Sequence, residues 1–256
     1  LRAFFVCVVG CVVVGGCFAP PVRAPMVKDD WGPFKDVVAT RVREEMQLKR
    51  AAAVAVVVVD KDGPVWIETF DRGPLEGKVD SDSKFRVGSV SKMMTSLLTL
   101  KLRDEGKLDV DGDINGVLPW FSIRSRYPAA PITPRLLMTH HSGLPSNLLR
   151  GMYGSLPRTL EAQARLLKDN DMAAAPSSTF IYSDVGYALL GAVDEVAGGD
   201  SFAALADRHV FAPFGMSGTS FAPTRDVGLP VVDGAVIDEN PPTTTPANGL
   251  VTTPND

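Results

Sequence analysis

Ser89 and Lys92 stand three residues apart at the head of a largely apolar run, Met93 to Leu102. A helix from Ser89 to about Asp104 puts positions three apart on one face, with Cβ atoms roughly 5–6 Å from each other, so the hydroxyl and the amine meet while Ser91 points elsewhere. The start of a helix carries unpaired N–H groups and the positive end of the dipole, and both favour negative charge. An alkoxide or oxyanion at Ser89 is stabilised there. The same field, together with burial, disfavours an ammonium and pushes Lys92 toward the neutral amine that a general base must be. The pair reads as a serine nucleophile with its own base, although Ser-x-x-Lys also fits a capped amphipathic helix with a solvated lysine.

Two more segments keep this pair company. One is Phe180-Ile181-Tyr182-Ser183-Asp184-Val185-Gly186-Tyr187-Ala188-Leu189-Leu190-Gly191, and the other is Ile132-Thr133-Pro134-Arg135-Leu136-Leu137-Met138-Thr139-His140-His141-Ser142-Gly143-Leu144-Pro145. With Ser89 to Lys92 they resemble the serine beta-lactamase and penicillin-binding-protein-like family, in its class C, D,D-peptidase and esterase branch. There the second motif is Tyr-x-Asn before a Gly-Tyr and a Leu-Leu-Gly, and the histidine segment reads His-Thr-Ser-Gly-Leu. The stretches Glu105 to Asp111, Phe211 to Met216 and Gly249 to Asp256 agree in order, so the resemblance runs from about Ala51 to the last residue.

The resemblance implies an α+β fold, an antiparallel sheet flanked by helices with an all-helical subdomain and the site between them. It makes Ser89 the acylated nucleophile, Lys92 its activating partner, and Tyr182 a second base that passes protons to the leaving group and from the deacylating water. Taken alone, Tyr182 fits a half-buried core tyrosine. As a tyrosinate it needs a neighbouring ammonium such as Lys92, and the two then titrate as a unit. Gly88 is read as the small residue that leaves room beside the nucleophile. No metal or cofactor is implied.

Asp184 departs from the family, which has Asn at this position. A carboxamide there is expected to donate a hydrogen bond to the substrate carbonyl and to contact the lysine, and an ionised carboxylate cannot donate. Paired with Lys92, Asp184 holds the amine charged and repels acidic substrates such as penicillins. As a plain alternative it caps the helix that starts near Gly186. The family's third motif, Lys-Thr-Gly or His-x-Gly on a strand lining the site, lies beyond the Gly-Leu-Val-Thr-Thr segment, and the sequence stops at Asp256. Lys61-Asp62-Gly63 and His141-Ser142-Gly143 stand in the wrong places to replace it. The expectation is therefore a fragment without its C-terminal strands, lacking one oxyanion-hole donor, a loss of about 10²–10³ in rate.

These residues need elements to position them. Phe34 to Arg50 has helical periodicity, Ala51 to Asp60 is a β-branched buried strand, and Asp60-Lys61-Asp62-Gly63 turns into a second strand from Pro64 to Phe70. From Asp109 to about Ala212 the pattern reads as mainly helical and Pro-broken, with Leu160 to Lys168 and Gly186 to Ala197 the clearest helices. Pro241 to Pro246 reads as a loop. Ahead of the domain, residues 1–18 read as a signal peptide, with Val14-Gly15-Gly16-Cys17 resembling a lipobox that makes Cys17 a lipidation site. Residues 19–33, with four prolines, read as a tether, and 34–256 as the hydrolase domain.

All three cysteines, Cys7, Cys11 and Cys17, fall in the targeting segment, so the domain holds no disulfide. A net charge of −4 without a clustered basic stripe argues against nucleic acid. His140, His141 and His209 read as structural. The sequence thus points to an exported serine hydrolase of the periplasm or cell envelope, anchored by lipid, that cleaves an ester or amide of a small-molecule or peptidoglycan-derived substrate through an acyl-enzyme. A D,D-carboxypeptidase or beta-lactamase, and a penicillin-binding sensor that acylates without turnover, are the alternatives.

Overall fold

The computed structural model describes residues 6–7, 31–72, 79–148, 159–221, 231–232, 235–236 and 245–256. It divides into two compact units: residues 1–83 with 228–238 and Asn255, and residues 84–227 with 239–254 and Asp256.

In the first unit, α1 (Gly32–Lys49) precedes a hairpin of β2 (Ala53–Asp60) and β3 (Gly63–Asp71). Helix α1 begins inside the expected tether, because Pro33 sits in the first turn, where a missing N–H leaves no bond unmade. In the hairpin Val54 faces Phe70 and Val58 faces Trp66, which places Val56, Val58, Trp66 and Phe70 on the buried face. Ala39 and Met46 of α1 cover that face, flanked by Trp31, Phe34, Val38 and Val42 at helical spacing. Two residues of the expected signal segment, Val6–Cys7 (β1), pair antiparallel with Val57 and Val58 of β2. The lipobox reading at Cys17 and the tether up to residue 30 lie outside the described residues. The same unit holds the short pair β5 (Val231–Val232) and β6 (Ala235–Val236).

The second unit is built around α5 (Asp184–Gly198), which is buried at every position from Asp184 to Asp194. Helices α2 (Ser91–Asp104), α3 (Pro134–Met138), α4 (Leu160–Arg165), α6 (Phe202–Ala206) and α7 (Thr245–Asn248) all pack on it. Leu98 and Leu102 of α2 join Leu189, Leu190, Val193, Leu205 and Phe211 in the core. A side chain of this size contributes about 1.5–3 kcal/mol when fully buried. Among the described residues of 109–212 helix is less continuous than the apolar pattern suggests, since Pro119, Pro128, Pro131, Pro145 and Pro176 fall in the breaks. Pro246, read as loop, lies inside α7, and the strands β4 (Phe85–Arg86) and β7 (Val251–Thr252) pair antiparallel ahead of α2.

Candidate active site

Ser89 lies in a 3₁₀ turn, Gly88–Val90, immediately before α2, not in the first turn of the α-helix itself. Gly88 makes that turn with φ +51°, the left-handed region that a side chain disfavours. A Cβ there would meet nothing within 4 Å, so it is the backbone conformation that calls for glycine. The Ser91 hydroxyl then locks the turn: it donates to the Gly88 carbonyl at 2.5 Å and accepts the Leu250 N–H at 2.9 Å. Ser89 stays exposed while Ser91 is fully buried.

One turn on, buried Lys92 sends Nζ to Ser89 Oγ at 3.2 Å and to the Ala247 carbonyl at 3.0 Å. Asp184 Oδ1 stands 2.7 Å from the same nitrogen, at ion-pair distance though not aligned as a hydrogen bond. The faces of Tyr182 and Tyr187 lie 4.7 and 5.6 Å from Nζ. Carboxylate, carbonyl and aromatic face each complement a cationic side chain. Asp184 does not cap α5. That duty falls to Ser183, whose Oγ accepts the Gly186 N–H at 2.9 Å and donates to the Pro145 carbonyl at 2.7 Å. The cap leaves the Asp184 carboxylate to face Lys92.

Tyr182 is 43% exposed and is held from behind by His140. The His140 backbone (φ +59°) accepts the Ile181 N–H at 2.8 Å, its Nδ1 accepts the Ser183 N–H at 3.1 Å, and its ring lies 4.4 Å from that of Tyr182. Burial, then the Lys92 charge, keeps the His140 pKa below its usual value, which suits an acceptor nitrogen. Beneath it the Tyr187 hydroxyl donates to the Met138 carbonyl at 2.9 Å and lies 3.0 Å from Ser96 Oγ, with burial raising its pKa.

One side chain that the sequence did not single out touches Ser89, whose Oγ donates to Asn248 Oδ1 at 3.2 Å. Helix α7, which carries Asn248, is tied to α2 by Lys92 and by Thr95 Oγ1, which reaches the Pro246 carbonyl at 2.6 Å. Gly191 lets α5 come against α7, since a Cβ there would stand 2.4 Å from the Pro246 ring. Ser89, Lys92, Tyr182 and Asp184 are thus brought together by four elements that belong to one unit.

A family model described as Beta-lactamase matches residues 38–256. The chain belongs to the beta-lactamase family. Among relatives of this beta-lactamase-family chain, the D-alanyl-D-alanine-carboxypeptidase/endopeptidase AmpH of Escherichia coli K12 is 28% identical over 180 residues, covering 69% of the chain and 47% of the relative. Penicillin-binding protein 4 of Amycolatopsis lactamdurans is 35% identical over 143 residues, 54% of the chain and 36% of the relative. The chain therefore spans half or less of the length of these curated relatives. Its fold matches the octameric penicillin-binding protein homologue from Pyrococcus abyssi (TM-score 0.72, 24% identity, 86% of the chain and 53% of that structure). It also matches EstCE1, a hydrolase with promiscuous acyltransferase activity (TM-score 0.68, 24% identity, 86% and 70%). These likenesses establish the α+β beta-lactamase/transpeptidase fold.

Proposed function

We propose that this beta-lactamase-family chain is a serine hydrolase that works through an acyl-enzyme on an ester or amide. Ser89 Oγ adds to the carbonyl and gives its proton to the Lys92–Tyr182 pair. That proton then passes to the departing alcohol or amine, and a water deprotonated by the same pair releases the acid. The observation that carries this reading is the Lys92 Nζ to Ser89 Oγ hydrogen bond at 3.2 Å in a turn open to solvent, with the Tyr182 ring 4.7 Å from the same nitrogen. Asp184 supports esters over lactams and peptidoglycan stems: as a carboxylate it supplies no donor to an amide carbonyl, and its negative charge disfavours acidic substrates.

The name of the AmpH relative supports a second reading, cleavage of D-alanyl peptides. Export to the periplasm or cell envelope with lipid attached at Cys17 is proposed from the apolar first 18 residues. Among the described residues no helix is long and apolar enough to cross a membrane. Turnover of a short-chain nitrophenyl ester but not of nitrocefin supports the esterase reading. Nitrocefin or D-alanyl-D-alanine turnover without ester cleavage would replace it with the second. A stoichiometric acyl adduct without turnover of either would leave a penicillin-binding sensor.

A further inference from the structure

Ser89 has one proton and two neighbours, and the two ask different things of it. Lys92 Nζ donates to Oγ at 3.2 Å and occupies one of its lone pairs, and the Ser89 proton goes to the other partner, Asn248 Oδ1. In this arrangement the hydroxyl of the free protein is not aimed at Lys92. It is turned by a carboxamide that stands 159 residues away in sequence.

The carboxamide is fixed as firmly as the lysine. Asn248 is buried, 8% exposed, at the end of α7. The residues just before it, Pro246 and Ala247, are bonded through their carbonyls to Thr95 and Lys92 of α2, and Leu250 just after it is bonded through its N–H to Ser91. Gly249 closes the turn against Thr245, with its N–H on the Thr245 carbonyl at 2.8 Å. A Cβ on Gly249 would stand 2.8 Å from the Thr245 backbone, so the turn admits no larger residue without shifting.

We propose that Asn248 is a further active-site residue, the acceptor that orients the Ser89 hydroxyl before attack. It takes no proton. When substrate enters, the hydroxyl turns from Oδ1 toward the base, and the proton leaves with the base while the Oγ lone pair forms the acyl bond. This rests on the acyl-enzyme reading of Ser89.

The test measures the second-order rate of fluorophosphonate labelling, read by intact mass, for the full 256-residue chain. Wild type is compared with Asn248→Ala, Asn248→Leu, Asn248→Asp and Ser89→Ala, each checked for folding by circular dichroism. The expected result is a labelling rate about tenfold lower in Asn248→Ala and Asn248→Leu, the size of one hydrogen bond. Asn248→Asp, which keeps an acceptor oxygen, stays within about threefold of wild type by the same measure. Wild-type rates in both apolar variants would overturn the proposal and leave the function intact. A fall in Asn248→Asp equal to that in Asn248→Ala would also overturn it, since Asn248 would then act as a donor through Nδ2. If Asn248→Ala does not fold, the Leu and Asp variants decide between the same outcomes. A wild-type chain that does not label at Ser89 would remove the acyl-enzyme reading, and this proposal with it.

Discussion

Asp194 is fully buried in α5, and replacing it with Asn should raise stability at neutral pH. Its Oδ1 has no hydrogen-bond partner, and its Oδ2 meets Thr99 Oγ1 of α2 at 3.0 Å. Thr99 Oγ1 also lies 3.0 Å from the Thr95 carbonyl, and one hydroxyl proton cannot serve two acceptors. A neutral Asp194 resolves this: its carboxyl proton goes to Thr99 Oγ1, and the Thr99 proton goes to the Thr95 carbonyl. Burial raises the Asp194 pKa well above its ordinary value, with the Thr99 hydrogen bond working against the shift. For a carboxyl raised in the folded state, the unfolded chain loses its proton first. Its stability contribution is therefore full below the ordinary value of about 3.9 and declines by about 1.4 kcal/mol per pH unit up to the folded pKa.

Asn has nearly the shape of Asp, bonds Thr99, and has no such slope. Urea unfolding of wild type and Asp194→Asn at pH 4.5 and pH 7.5 measures the difference. Near pH 4.5 the variants should differ by no more than about 1 kcal/mol, one hydrogen bond exchanged for another. At pH 7.5 the Asn variant should be the more stable by about 1.5 kcal/mol or more, one pH unit or more of the slope just given. An Asn variant that loses as much at pH 7.5 as at pH 4.5 would refute the neutral Asp194 and the proton order drawn from it.

Asp184→Asn should lose about 3 kcal/mol in urea unfolding, since it removes one partner of a buried ion pair. It should also shift acylation toward penicillin relative to nitrophenyl ester by about tenfold or more, each factor of ten reflecting about 1.4 kcal/mol; an unchanged ratio would clear Asp184 of any part in specificity. Gly191→Ala should cost about 1–3 kcal/mol by overpacking against the stiff Pro246 ring and slow Ser89 labelling by moving α7, measurable as a Tm drop alongside a lower labelling rate. His140, whose pKa is lowered by burial and then by Lys92, contributes stability that is full above its ordinary value of about 6.5 and falls as pH drops through the folded value. His140→Asn keeps an acceptor and tolerates φ +59°, so its unfolding free energy should lack that acid-side decline.

The parts of the site that could be read from sequence were the local ones. Ser89 and Lys92 are three residues apart, and Tyr182, Ser183 and Asp184 are adjacent, so helix geometry and capping alone constrain where they point. Even there details differ: Ser89 sits in a 3₁₀ segment just before α2, where Gly88 takes a positive φ, and the cap of α5 is Ser183, not Asp184 as the alternative had it. Asn248 and the Ala247 carbonyl escaped notice because their partners lie more than 150 positions away. Asp194 went unremarked in the sequence because its burial comes from the helices that pack on the Asp184 to Asp194 part of α5. The hairpin in β2 and β3 was legible from β-branched runs around Asp60-Lys61-Asp62-Gly63. Residues 109–212 were overread as helix, since apolar spacing persists across proline-broken loops held by scattered backbone bonds such as Ala173 N–H to the Gly143 carbonyl.

The most direct test of the central claim is intact-mass spectrometry of the chain and of Ser89→Ala after exposure to a fluorophosphonate, a penicillin and a nitrophenyl ester. A single adduct is expected on the wild-type chain, formed readily with the fluorophosphonate and the ester and weakly with penicillin, and absent in Ser89→Ala. A folded wild-type chain that stays unmodified by all three, or an adduct that persists in Ser89→Ala, would contradict it.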